Sequence, residues 1–201
     1  MSRNEHILAR VLLLLAGAFL AGLLYVAFAA YSWGQFGMGD FATYTNMLWN
    51  TAHGAWFKCR IDDNYLVNHL SFSLAVLAPL FLAWDHPFLL GIVQCALVGG
   101  GAAVLYAFGR RAGVPLAFRA AVILFLVGYH ITQSTLIAEF HGVAMYYLLV
   151  PWCLYAMTFR RSLLWLPMLL LLGLREDAAL VVLPMLVHTA RTGRWRAGWW
   201  W

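Results

Sequence analysis

The chain has 201 residues, is 64% hydrophobic and only 10% charged, and carries a formal net charge of +5. Soluble domains carry about 25% charged residues, so a water-exposed globule is excluded. Nucleic-acid binding is excluded as the source of the positive balance. All the basic residues except Lys58 are arginines in or beside short loops between apolar runs, the pattern that sets orientation in a bilayer.

The first apolar run, 7–31, is long enough to cross a bilayer, which takes roughly 20 residues. It has no small-residue cleavage motif leading into a soluble domain, so it is expected to remain as a first helix. Next comes GDFATYTNMLWNTAHG (39–54). The spacing of Phe41, Tyr44, Leu48 and Trp49 predicts an amphipathic helix, lying flat with its aromatic side in the membrane interface. Asp40 at its start is either an N-cap for the free N–H groups or a carboxylate kept for chemistry. His69 is either an interfacial polar cap or a site residue. It opens the segment 70–84, which at about 15 residues and with Pro79 inside it is short for a span.

Apolar segments at 88–109, 115–133, 143–159, 162–174 and 178–190 follow. They predict an all-α polytopic membrane protein; a β-barrel would need alternating strands of about 10 residues. VGGGAA (98–103) marks a close helix–helix contact, and kinks are expected at Pro151, Pro167 and Pro184. Cys59, Cys95 and Cys153 have no metal or redox spacing.

Six spans with a cytoplasmic N-terminus place Arg3, Arg10, Arg110, Arg111, Arg119, Arg160, Arg161, Arg191, Arg194 and Arg196 inside, and Lys58, Arg60 and Arg175 outside. Seven spans with an external N-terminus satisfy the count equally. The short 70–84 segment, and Arg3 and Arg10 beside the first helix, favour six. Asp40, Asp62, Asp63, Asp85, Glu139, Glu176 and Asp177 are then external, and only Glu5 is inside. Ionisable groups at membrane depth are costly and mark partners or function.

Two further motifs carry such groups. EFH (139–141) points Glu139 and His141 at one region. LREDAAL (174–180) sets three charges between apolar helices. Arg175 is either a local partner of Glu176 and Asp177 or an anion clamp, since a guanidinium engages phosphate oxygens bidentately. Asp40, His69, Glu139 and His141 are also of types that hold a divalent metal, though no local motif fixes such a site.

GDFATYTNMLWNTAHG, NHLSFSLAVLAPLF, EFHGVAMYYLLVPWCLYA and LREDAALVVLP occur in this order. Together, over residues 35–190, they resemble a bacterial family of predicted membrane proteins of unknown function placed with the GT-C glycosyltransferases. The resemblance implies a GT-C-like plan in the bacterial plasma membrane. A cytoplasmic N-terminus and first span lead to an external loop with membrane-parallel helices. It implies transfer of a sugar from a polyprenyl-phosphate carrier, with Asp40 as the catalytic carboxylate and His69, Glu139, His141, Arg175, Glu176 and Asp177 binding substrate. Thr45 stands where the family pattern usually has a second acid. GT-C proteins normally have more spans and often a C-terminal domain, so the chain is expected to be a single transmembrane module, the N-terminal part of such a protein. The competing expectation is a transporter component or a lipid-binding scaffold, for which His130 and Gln94 are the candidate mid-membrane polar groups. Asp40, His69, Glu139, His141 and Arg175 are expected to converge on one external pocket, with Asp40 and Arg175 within about 10–15 Å of each other. Sugar, acceptor and oligomeric state are left open.

Overall fold

The computed structural model describes residues 3–35, 39–60, 64–67, 70–137 and 139–191, with side chains from Ile7 onward. His69, Asp62, Asp63, Arg194 and Arg196 lie outside the described residues. Every regular element among them is helical. In order they are α1 (Arg3–Ser32), α2 (Asp40–Ala52), the short α3 (Leu80–Ala83), α4 (Leu89–Arg111), α5 (Leu116–Gly128), α6 (His130–Ile137), α7 (Tyr146–Phe159), α8 (Trp165–Leu172) and α9 (Ala179–Arg191). Single 3₁₀ stretches link several of them, including Phe72–Leu77, Gly142–Met145 and Glu176–Ala178.

Among the described residues, Ile7–Ser32, Leu89–Arg111 and Gly142–Phe159 are long and apolar enough to cross a bilayer, which makes three candidate spans, or four if bent α5–α6 counts as one. Arg161–Leu172 is a shorter apolar helix, and α9 has 13 residues. Helix length alone therefore supports fewer crossings than the six expected. Residues 70–84 are not a continuous span: a six-residue 3₁₀ stretch meets the four-residue α3 at Pro79.

The 115–133 run, expected as one helix, breaks at Tyr129, where α5 and α6 meet at 47°. No proline causes this. Tyr129 is extended, and the Gln133 amide donates to the Gly128 carbonyl at 2.9 Å, covering an acceptor that the break leaves without its helical donor.

The helices give the molecule two chemically different ends. α1 and α4 run antiparallel, with Leu20 against Gly99 and Phe28 against Phe88. α4 and α7 run parallel: Gln94 meets His141, Gly101 meets Tyr147, and Phe108 meets Phe159. α8 returns the chain, because the carbonyls of Gly173 and Leu174 accept from Ser73 N and Ser71 Oγ, each at 2.8 Å. Asp40, Asp85, Glu139, Glu176 and Asp177 thus gather at one end. Arg10, Arg110, Arg111, Arg119, Arg160, Arg161 and Arg191 lie at the other.

The described residues between α1 and α4 pack over the acidic end. Of these, Phe41, Met47, Leu48, Leu74 and Phe81 share one buried core with Leu90, Phe140, Leu149 and Leu171. The tightest bundle contact is α4 on α7. A Cβ on Gly101 would run into the Tyr147 carbonyl, so only glycine fits, as the VGGGAA pattern predicts. That carbonyl is the one Pro151 leaves without a helical donor four residues on. It faces a Cα–H of Gly101 instead, a weak hydrogen bond. α1, by contrast, leaves side chains such as Leu14 and Tyr25 uncovered by protein, surface suited to lipid.

Candidate functional site at the acidic end

Asp40 is the first residue of α2, and Gly39 occupies the cap position without a side chain to offer. The Asp40 carboxylate does not cap its own helix. Its Oδ2 lies 2.9 Å from His141 Nε2. The cap comes from Glu139, whose Oε2 accepts from Phe41 N at 2.9 Å across 98 residues of sequence. A carboxylate there meets the positive end of the helix dipole. The N-cap expectation for Asp40 is thereby corrected: Glu139 takes that role and leaves Asp40 to His141. Asp40 and His141 side chains are 61% and 44% exposed, so water screens the pair and it adds little stability.

The ring of His141 is held on both sides by acceptors. Nδ1 lies 2.8 Å from the Glu139 carbonyl oxygen, which can only accept, so Nδ1 carries a proton. Nε2 faces the Asp40 carboxylate, so a second proton lies on that axis, on one partner or the other. Residues 139–141 are pinned by Gln94 of α4. Its Oε1 accepts from His141 N at 3.3 Å and its Nε2 donates to the Thr135 carbonyl. Gln94 is buried with both ends of its amide engaged.

The 175–177 motif forms a second cluster. Arg175 Nε lies 3.3 Å from Asp177 Oδ1, at ion-pair distance but without hydrogen-bond alignment. Tyr146 OH donates to the same oxygen at 3.3 Å. Glu176 Oε1 accepts from Leu70 N at 2.9 Å. Of the two roles foreseen for Arg175, the local partner is the one occupied here, through its Nε edge.

Tyr65 stands between the clusters. Its hydroxyl lies near those of Tyr44 and Ser71. Burial raises its pKa, and the neighbouring Tyr44 hydroxyl and the nearby charge of Asp40 add to the rise. Ser71 in turn donates to the Leu174 carbonyl beside Arg175. Among the described residues no hydrogen bond or ion pair joins Asp40 directly to Arg175. Asp40, Glu139 and His141 are thus brought together, as are Arg175, Glu176 and Asp177, and Tyr65 and Ser71 lie between the two groups. Thr45 of α2 has a sealed hydroxyl without a hydrogen-bond partner. Among the described residues no three His, Cys, Asp or Glu side chains gather as metal ligands.

Tyr44, Tyr65, Ser71 and Tyr146 are site residues that the sequence did not mark, because only contacts between distant segments reveal them. Gln94 did carry a signal, a lone amide in an apolar helix, but it suggested a transport path.

Neither a curated protein nor a solved structure matches the chain. A family model described as "Predicted membrane protein (DUF2079)" matches residues 35–201. The helical bundle has helices suited to a bilayer, and the chain belongs to this family of predicted membrane proteins.

Proposed function

We propose that this chain is a module of a GT-C-like glycosyltransferase that moves a sugar from a polyprenyl-phosphate carrier to an acceptor at the outer face of the bacterial plasma membrane. In this proposal the chain makes six passes. Its N-terminus is cytoplasmic, and the segment between α1 and α4 lies along the outer interface. The separation of acidic and basic ends supports that orientation, since arginine-rich loops stay in the cytoplasm.

The observation that carries the proposal is the Asp40–His141 pair. A carboxylate at the start of a helix, relieved of capping by Glu139 and backed by an imidazole, is suited to take a proton from an acceptor hydroxyl or amine. With the shared proton on His141, Asp40 is ionised and has an exposed edge. The acceptor heteroatom then attacks the anomeric carbon, its proton passes to Asp40, and the C–O bond to phosphate breaks with its electron pair going to the phosphate. Arg175 is the cation for that leaving group, either through its terminal nitrogens or by exchanging Asp177 for phosphate.

A transporter would need ionisable groups along the middle of the bundle. Gln94 spends its amide inside the protein, and His130 lies exposed at the start of α6. The test is transfer from a panel of radiolabelled polyprenyl-phosphate hexoses and pentoses in proteoliposomes containing extracted membrane acceptors. Asp40→Asn is expected to lower the rate by about 10²–10⁴-fold, with donor binding retained. Failure of the wild-type chain to consume any donor, or a full rate in Asp40→Asn, would sink the proposal.

A further inference from the structure

We infer that the basic end holds a binding site for the phosphate of an anionic membrane lipid, built by Arg110 and Arg119 at the α4–α5 turn. Arg119 lies in the first turns of α5 and is only 6% exposed, and its Nε and Nη1 have no hydrogen-bond acceptor. Its stem crosses Gly109, where a Cβ would stand 2.8 Å from Arg119 Cγ. The guanidinium ends 4.9 Å from the centre of the Tyr106 ring. Tyr106 is three residues back along α4 from Gly109, so the charge is carried about 4.5 Å deeper into the bundle. The ring face offsets part of the desolvation, but it brings no negative charge, and an ion buried at membrane depth calls for a counter-ion.

The surroundings point to a phosphate. Arg110 follows Tyr106 by one helical turn and so shares its face of α4. It is exposed and has no ion pair among the described residues. Its neighbour Arg111 is already engaged, donating to Tyr155 OH at 3.0 Å and lying 4.9 Å from the Phe159 ring centre. The start of α5 has no side-chain cap. Arg119 N is the first amide of the helix seen to bond back, to the Pro115 carbonyl at 3.1 Å, and the amides before it suit an anion. No Asp or Glu side chain among the described residues lies at this end. Beside Tyr106 lies a shallow all-carbon dent between Leu12 and Leu13 of α1 and Ala120, Ile123 and Leu124 of α5, too small to enclose an acyl chain. Leu13, Phe118 and Leu124 nearby expose apolar surface, and a basic head site bordered by such surface fits a phosphate carrying an acyl chain better than free phosphate. Basic sites between membrane helices serve such lipids.

The experiment follows thermal unfolding of the 201-residue chain in neutral detergent by tryptophan fluorescence, with phosphatidylglycerol, phosphatidylcholine or inorganic phosphate added. Phosphatidylglycerol is expected to raise the midpoint, and the other two to leave it in place. Arg119→Met should raise the lipid-free midpoint, by removing an unpaired buried ion, and weaken the phosphatidylglycerol response at least tenfold in apparent affinity. Arg110→Gln, at an exposed position, should keep the lipid-free midpoint and weaken the response about threefold or more. The proposal is overturned if both lipids act alike, or if either variant responds to phosphatidylglycerol as strongly as the wild-type chain. It is also overturned if inorganic phosphate reproduces the effect, or if Glu5→Gln abolishes it as Arg119→Met does, since the counter-ion would then be the chain's own.

Discussion

Gly101→Ala tests the central contact of the bundle. A Cβ on Gly101 would fall within the Tyr147 carbonyl group, with the carbonyl carbon only 2.7 Å away. Neither neighbour is the tip of a flexible side chain, so α4 and α7 must part by more than roughly 1 Å to restore contact distance. A gap of that size forfeits about half or more of each dispersion contact along the seam. Overpacking of this kind costs about 1–3 kcal/mol, and the lost Cα–H···O contact adds about 0.5–1 kcal/mol. The expected loss is therefore about 2–4 kcal/mol. Gly100→Ala is the control, because its Cβ would meet Leu148 Cδ1 at 3.3 Å, which can swing away. It should cost less than about 1 kcal/mol, helped by the helix propensity of alanine. Pro151→Ala restores a helical donor to the Tyr147 carbonyl and should reduce the Gly101→Ala penalty by about 1 kcal/mol, a coupling that a double-mutant cycle isolates. The assay is equilibrium unfolding in mixed micelles with increasing SDS, followed by circular dichroism. A Gly101→Ala chain within about 0.5 kcal/mol of wild type, or a Gly100→Ala chain equally impaired, would refute the reasoning.

Glu139→Ala should cost about 1–2 kcal/mol as the charged cap of α2 is lost; hydrogen exchange should quicken at the start of α2 and not in α4, and unchanged exchange there would contradict the cap. Burial holds the Tyr65 hydroxyl protonated beyond its ordinary pKa of 10.0, so above about pH 10 the unfolded chain releases a proton that the folded chain retains. Stability is then complete below that pH and falls above it. Tyr65→Phe should flatten the loss between pH 9 and pH 11 in the SDS titration, and an identical slope in both chains would exclude Tyr65 as its source. In a chain with its native cysteines replaced, Trp56→Cys should react with an impermeant maleimide on intact cells, and Ala112→Cys only after permeabilisation. The opposite pattern would reverse the orientation.

Which parts of this were visible in the sequence follows from the range of the interactions involved. α1 and α4 could be read because a long apolar run has few ways to satisfy its backbone in lipid except as a helix. The glycine contact was visible too, since small residues in a membrane helix have one common use. The α5–α6 break was not, because it depends on the Gln133 side chain reaching back to Gly128, a local alternative to the helix that composition does not register. Asp40 stood out as an acid opening an aromatic helix, and charge-based topology put it on one side with His141, but neither told which of the expected pocket residues it meets. His141 lies about a hundred residues away and comes close only because Gln94 holds the intervening loop. Arg175 shows the reverse: it meets Asp177, two residues on in the same motif, so proximity along the chain was a sound guide there and a poor one at Asp40.

The exchange of roles between Asp40 and Glu139 explains how an acid at a helix start stays available. The first turn of any helix attracts a carboxylate, because its amides lack partners and its dipole is positive there. Asp40 is the nearest acid, and left alone it would fold back onto those amides. Glu139 occupies the position first, and the same three-residue unit brings His141 to the other side of Asp40. The cap of α2 and the partner of Asp40 are thereby set by one loop, whose geometry rests on Gln94 from α4 and on the end of α6. A movement of α6 about the Tyr129 break would withdraw Glu139 and His141 together. Asp40 would then turn to its own helix, and the carboxylate would be lost to the site without any change in its sequence neighbours. Orientation of Asp40 is thus a property of the assembled bundle, set by how α4 and α6 hold the 139–141 loop.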